Sequence, residues 1–239
     1  MKIWCSILLF MALLFMKTGY SQGQDANEFL EASMKAFQKV IEKKPDHVDA
    51  HYNLGVVYSE KGMVNEAIER YKKAIEIDPN FVKAYNNLGV VYYEAGLLDE
   101  AIESLKKATE ILPQYIDAHY NLGIVYYAKR RYKLALEAFK RTVDLDPKFD
   151  KGYYNVGVTY VSMGNIDESI VAFEKAISIN PEYSEAFYNL GIAYAKKEQY
   201  DDAIKFLKKA QEIDPDDYKS YFALGVIYQA QRGRETVKR

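Results

Sequence analysis

The heptapeptide DAHYNLG stands at residues 49–55 and again, letter for letter, at residues 117–123. The 68-residue separation is twice a shorter period, and the prolines reveal it. All six, Pro45, Pro79, Pro113, Pro147, Pro181 and Pro215, lie 34 residues apart. Gly55, Gly89, Gly123, Gly157, Gly191 and Gly225 keep the same step, as do Tyr58, Tyr92, Tyr126, Tyr160, Tyr194 and Tyr228. A fixed period between about 20 and 50 residues marks a repeat architecture, in which each unit buries its apolar face only against its neighbours.

The period runs from about residue 27 to residue 228, so the 239 residues hold one array and leave no room for a second fold. Lys and Arg number 32 against 34 Asp and Glu, a near-neutral balance that argues against a nucleic-acid or anionic-membrane surface. Residues 1–21 differ from the rest. A positive start at Lys2 precedes an apolar run over 3–16, broken only by Ser6, and Gly19 and Ser21 follow at the spacing a signal peptidase prefers. This reads as a secretory signal peptide, the run being short of the ~20 residues of a membrane span; the alternative is an uncleaved membrane anchor. Cys5 lies at the start of the apolar run, whereas a lipidated cysteine would follow it. Cleavage would remove the sole cysteine, Cys5, and the sole tryptophan, Trp4, so disulfides would contribute nothing to the mature protein.

Within the unit at 48–81, Ala50, His51, Leu54 and Tyr58 recur at helical steps, as do Ala67, Tyr71 and Ala74. Gly62 between the two series suits a helix C-terminus, Asn65 suits a cap, and Pro79 blocks continuation. The unit is therefore helix, tight turn, helix. Glycine inside a helix costs ~1 kcal/mol relative to alanine, so its repetition implies a close approach. The small residues twelve positions on, Ala67, Ala101, Ala135, Ser169 and Ala203, predict that the two helices cross there, small residue against small residue.

These residues resemble the tetratricopeptide repeat (TPR), whose helix pairs carry Leu-Gly, Tyr, a small Ala, an aromatic, another Ala and Pro at these spacings. In the first unit they are Leu54, Gly55, Tyr58, Ala67, Tyr71, Ala74 and Pro79. The resemblance implies an all-α, right-handed superhelical α-solenoid of antiparallel helix pairs. Five units match, at 48–81, 82–115, 116–149, 150–183 and 184–217. A lone second helix precedes them at 27–47, with Phe37 in the aromatic place, and a lone first helix with a basic tail follows at 218–239. Arg130 and Glu198 replace the inter-helix glycine, and Thr142 replaces the second alanine.

On each first helix, one side carries the seam and the opposite side has no partner within the unit. The resemblance implies that this second side lines a concave groove for peptides. It presents Asn53, Asn87, Asn121, Asn155 and Asn189, beside Tyr52, Tyr120, Tyr154 and Tyr188, with Val56, Val90, Ile124, Val158 and Ile192 along the middle. An amide offers donor and acceptor, so this series can bond an extended peptide's backbone without reading its sequence, or can instead tie neighbouring helices together. It resembles the asparagine ladder of O-GlcNAc transferases. The apolar strip is unusual for plain solvent surface unless adjacent helices pack over it. Asp49, Lys83, Asp117, Lys151, Glu185 and Lys219 alternate in sign along the groove edge, which disfavours a strongly charged ligand. On the outer face, Glu69 with Lys73, Glu103 with Lys107 and Glu137 with Arg141 have the spacing of helical ion pairs.

The chaperone-tail clamp of some relatives needs Lys three places before the glycine and Asn one after; Tyr52 and Val56 stand there. His51 and His119 occupy equivalent seam positions too far apart to share a metal, and no nucleophile–base pair or phosphate loop emerges. The chain thus reads as an exported, non-catalytic scaffold without cofactor or metal, binding a protein or peptide partner and no nucleic acid. The alternative is an assembly factor acting through its C-terminal end, where Leu224 and Tyr228 are expected to lie open to a second copy or a partner.

Overall fold

The computed structural model describes residues 22–237, so the leader expected at 1–21 lies outside the described residues. Among the described residues there are twelve helices and no strand. They are α1 (Gln22–Lys43), α2 (Val48–Glu60), α3 (Val64–Ile77), α4 (Val82–Glu94), α5 (Leu98–Ile111), α6 (Ile116–Ala128), α7 (Tyr132–Leu145), α8 (Asp150–Met163), α9 (Ile166–Ile179), α10 (Ser184–Lys196), α11 (Tyr200–Ile213) and α12 (Tyr218–Val237). The first helices begin at residues 48, 82, 116, 150, 184 and 218, on the 34-residue step. The chain divides into two compact units between Val91 and Tyr92, inside α4.

The turns follow from local chemistry. Before α4, α8, α10 and α12, Asp78, Asp146, Asn180 and Asp214 respectively accept, through Oδ1, the backbone N–H two residues on, at 2.9–3.2 Å, while the intervening proline stops the helix. Within a pair, the tight turn needs a left-handed residue, supplied by Gly62, Gly96 and Gly164 at φ of 71°, 76° and 84°. Arg130 and Glu198 hold the same conformation at φ of 55° and 62° despite their side chains. Arg130→Gly should therefore raise stability by about 1 kcal/mol, the scale of left-handed strain, read as a higher urea midpoint at unchanged m-value. An unchanged midpoint would mean that arginine sits there without strain.

In the first unit, α2 packs against α3, and the ring of Tyr71 crosses Gly55 so closely that a Cβ on the glycine would lie 2.8 Å from it. In the second unit, Phe139 crosses Gly123 and Phe173 crosses Gly157 in the same way, at 2.6 and 2.5 Å, and Leu207 does so at Gly191 at 2.7 Å. The missing side chain thus makes room for the large residue sixteen positions on, not principally for the alanine twelve on. The alanine is nonetheless fully buried, because a larger residue there would hold the helices apart. Thr142 is also fully buried and returns its hydroxyl to the Ala138 carbonyl at 3.0 Å. Gly152 faces it, where other units carry Ala or Ser; a Cβ at 152 would lie 2.7 Å from Val143 and 3.5 Å from Thr142. The larger threonine is matched by the smaller glycine.

Neighbouring pairs are pinned by links that span 30 residues. Lys61 pairs with Glu31 in the first unit; Lys129 pairs with Asp99 and Lys197 with Asp167 in the second, and Gln231 donates to Asp201 at 2.7 Å. The expected ladder of alternating charges forms no ion pair among the described residues: Asp49, Lys83, Asp117, Lys151, Glu185 and Lys219 are all exposed and point to solvent. On the outer helices, Lys73 pairs with Glu76 and Lys107 with Glu110, three apart, in place of the expected partners four earlier. Such exposed pairs contribute little to stability.

The last helix corrects one expectation. Leu224 is 6% exposed and packs with Ala203, Leu207, Ala223 and Ile227 against the preceding pair, so it is not part of an open face. Its place in the repeat points toward the previous unit, whose second helix is present. Tyr228 does stay open, at 45% exposure.

Candidate peptide-binding face

Each asparagine of the series is half-buried, and its amide is already at work. Asn155 Nδ2 donates to Tyr120 Oη at 3.1 Å and to the Lys151 carbonyl at 2.9 Å. Asn189 Nδ2 does the same with Tyr154 Oη at 3.1 Å and the Glu185 carbonyl at 3.0 Å. A backbone carbonyl only accepts, so it fixes which end of the amide is nitrogen. In the first unit, Asn87 Nδ2 donates to Tyr52 Oη at 3.2 Å, and Asn87 Oδ1 accepts from Asn86 at 3.2 Å. Asn53 donates only to the Asp49 carbonyl within its own helix, at 2.8 Å. The 35-residue step, one repeat plus one, therefore ties consecutive first helices together. Tyr127 and Ser162 make another such link at 2.9 Å.

The tyrosines are held by rings on two sides. Tyr120 lies 5.9 Å from Phe139 and 5.0 Å from Phe149; Tyr154 lies 5.9 Å from Phe173 and 5.0 Å from Tyr183; Tyr52 lies 5.9 Å from Tyr71 and 5.0 Å from Phe81. The supporting aromatics stand two residues after four of the six prolines, at Phe81, Tyr115, Phe149 and Tyr183, a repetition that the reading of the helix faces does not include. Tyr188 ends the series differently: Ala223 replaces the asparagine, and the two pack together.

What remains exposed has a defined polarity. Each linked tyrosine oxygen accepts from an asparagine, so its own O–H is left to donate. The Oδ1 atoms of Asn155 and Asn189 have no partner among the described residues. In the second unit the face therefore offers two donor–acceptor pairs, Tyr120 with Asn155 and Tyr154 with Asn189. Beside them Ile124, Val158 and Ile192 are half-buried, as are Val56 and Val90 in the first unit. Val158 and Ile192 pack in part onto the cores beneath, so adjacent helices hide a share of the strip. Asn121 is likewise half-buried at the equivalent place on α6.

Burial holds the hydroxyls of Tyr52, Tyr120 and Tyr154 above the ordinary tyrosine range, with the asparagine bonds pulling the other way. Tyr183 is driven further up by burial and by neighbouring Tyr154 and Glu185. Tyr194 is raised to about 12, first by burial and then by its 3.0 Å bond to Glu174. Folded values above unfolded ones mean that this stability is complete below about pH 10 and declines as pH rises through the folded values. Helicity should fall together with the appearance of tyrosinate absorbance above about pH 10; tyrosinate forming with no loss of stability would contradict the burial.

The histidines are structural. His51 Nε2 lies 2.8 Å from the Pro45 carbonyl and His119 Nε2 lies 2.9 Å from that of Pro113, each fixing the turn before its helix. His47 Nδ1 caps α2 by accepting from Ala50 N at 3.2 Å. No group of His, Cys, Asp or Glu among the described residues could hold a metal ion, and none of the described helices is long and apolar enough to cross a membrane. A separate cleft of about 750 Å³ lies among α7, α8 and α9. Lys140 stands over Tyr160 and Lys175 over Tyr153 at its edges, and Asp144, Glu168 and Glu174 balance them.

Comparison with known proteins agrees with this geometry. Models described as TPR repeat match residues 58–96 and 91–130, and models described as tetratricopeptide repeat match 36–69, 116–149 and 160–225. No curated protein matches the sequence at a significant level. Among solved structures, YrrB, described as a TPR protein with an unusual peptide-binding site, is 30% identical with a TM-score of 0.68, over 80% of this chain and 98% of that one. MamA is 37% identical with a TM-score of 0.65, over 70% of this chain and 97% of that one. PilF of Pseudomonas aeruginosa, at 22% identity and a TM-score of 0.69 over 79% of this chain and 86% of that one, shares the fold. TPR proteins bind protein or peptide partners and are generally non-catalytic scaffolds. From its helix pairs, its repeat residues and these matches, the chain belongs to the tetratricopeptide-repeat family.

Proposed function

We propose that this protein is an exported, non-catalytic scaffold that holds an extended peptide segment of a partner on its asparagine face. The observation that carries the reading is the polarity left after the helices are tied. The two hydrogens of Asn155 and of Asn189 are engaged within the fold, so these side chains meet a ligand as acceptors, while Tyr120 and Tyr154 meet it as donors. A peptide backbone supplies the matching N–H and C=O in any sequence. The apolar strip beside them suits the partner's side chains. The structural relative YrrB, with its peptide-binding site, supports the same class of ligand. The test is capture of partners from the exported fraction with the wild type and with Asn155→Ala/Asn189→Ala. Loss of the captured protein with helicity retained supports the reading, and equal capture contradicts it.

Export rests on residues 1–21, with cleavage expected near Gln22. Material purified from the exported fraction should then show no indole emission, because Trp4 is the only tryptophan. Tryptophan fluorescence in that material would contradict cleavage and favour an anchor retained at residues 3–16.

A further inference from the structure

The two end helices differ from all the others in the same way. Inner helices are 13 or 14 residues long, whereas α1 has 22 and α12 has 20. Each runs straight through the register at which every inner unit turns. Residues 27–29 of α1 correspond to the turn at 61–63 and are helical; residues 231–233 of α12 correspond to it too and are also helical. Neither helix folds back into a pair. By position in the repeat, α12 is a first helix and α1 a second helix, and among the described residues neither has the other half of its pair.

The faces left over are complementary halves of one interface. On α12, Gly225 keeps the crossing glycine, yet a Cβ there would meet nothing within 4 Å, whereas at Gly55, Gly123, Gly157 and Gly191 it would strike a large side chain. Phe222, at the position of Tyr52, is 73% exposed; Tyr52 itself rests on Tyr71 of its own second helix. On α1, Phe37 stands at the position of Tyr71 and Ser33 at that of Ala67. Both are only half-buried, while Tyr71 and Ala67 are almost completely enclosed. Among the described residues, the crossing glycine of α12 lacks its ring and the ring of α1 lacks its glycine.

We propose that copies of this chain join head to tail, α12 of one copy taking α1 of the next as its missing second helix. Phe37 then lies across Gly225 and against Phe222, as Tyr71 lies across Gly55 and against Tyr52. The straight extensions run antiparallel beside each other, and the sequence puts an acidic residue, Glu28, on one and a basic residue, Arg232, on the other. The contact is heterologous, so an assembly of any length retains one open α1 and one open α12 until it closes. This inference is independent of peptide binding on the asparagine face.

Sedimentation velocity of the full chain tests it through Gly225→Leu. In a single copy this side chain enters open space and replaces a helix-weakening glycine, so helicity and melting should be kept. In the joint it strikes Phe37, and association should weaken roughly tenfold or more. Phe37→Ala should weaken association as well. A mixture of the two variants retains one sound joint, between α12 of the Phe37→Ala chain and α1 of the Gly225→Leu chain, and should form pairs and nothing longer. The proposal is overturned if the wild type sediments as single copies at high micromolar concentration. It is equally overturned if Gly225→Leu associates like the wild type, as contacts through residues 1–21 would allow. Insensitivity to Phe37→Ala, which symmetric pairing of two α12 helices would give, or failure of the mixture to form pairs, also overturns it.

Discussion

Replacing Phe139 with alanine should destabilise the second unit by roughly 3–5 kcal/mol, more than any substitution on the asparagine face. The ring is 1% exposed and covers Gly123, and Tyr120 rests 5.9 Å from it. Its loss opens a cavity that the neighbouring helices cannot fill without breaking the crossing. The opposite error, Gly123→Leu, forces a side chain into space where a Cβ alone would already be 2.6 Å from the ring, and should also cost at least about 1–3 kcal/mol. The fifth repeat, residues 184–217, shows that the space is matched rather than specifically aromatic, since Leu207 covers Gly191 there. Phe139→Leu should accordingly be far milder than Phe139→Ala. Urea melts followed by circular dichroism would check the order; equal effects for alanine and leucine would contradict a packed crossing.

The second large effect concerns the asparagines, which the structure separates into classes. Asn155 and Asn189 each lose two donated bonds on truncation, one of them to a neighbouring helix. The double alanine variant should lose about 2 kcal/mol after the gain in helix propensity is allowed for. Asn53 bonds only within its own helix, so Asn53→Ala should leave stability nearly unchanged. Binding should follow a different order from stability. Tyr120→Phe/Tyr154→Phe removes the donors while keeping the rings on their supports, and should weaken peptide binding several-fold with little loss of helicity. If Asn53→Ala destabilises as much as Asn155→Ala, the link between helices is not what these residues provide.

The helix pairs were legible in the repeat because their causes are local: proline stops a helix, glycine permits the left-handed turn, and apolar spacing marks the seam. The survival of left-handed geometry at Arg130 and Glu198 follows from the same logic, since the crossing on either side dictates the turn. Features that depend on side-chain reach were not legible. The ring of Phe139 extends to Gly123 from sixteen positions away, so alanine at twelve looked like the partner. The asparagine amides could be placed on a face, but their bonds go to the preceding unit, at a step of 35 that a single helical wheel does not contain. The same applies to the links of 30 residues, such as Lys129 to Asp99, which join different repeats. A seam residue such as Leu224 touches two helices, so it stays buried against the preceding pair even where its own second helix is missing among the described residues.

Backbone recognition is the central claim, and the most direct measurement of it uses chemically altered peptides. A peptide selected by this protein from a display library would be titrated in its natural form and with single backbone amides N-methylated. N-methylation removes the N–H that Asn155 Oδ1 or Asn189 Oδ1 would accept and leaves the side chains untouched. Losses of about tenfold at particular amides, absent in the Asn155→Ala/Asn189→Ala variant, are the result expected for a hydrogen bond of ordinary strength. Unchanged affinity for every N-methylated peptide, with binding still dependent on the peptide's side chains, would contradict recognition of the backbone on this face.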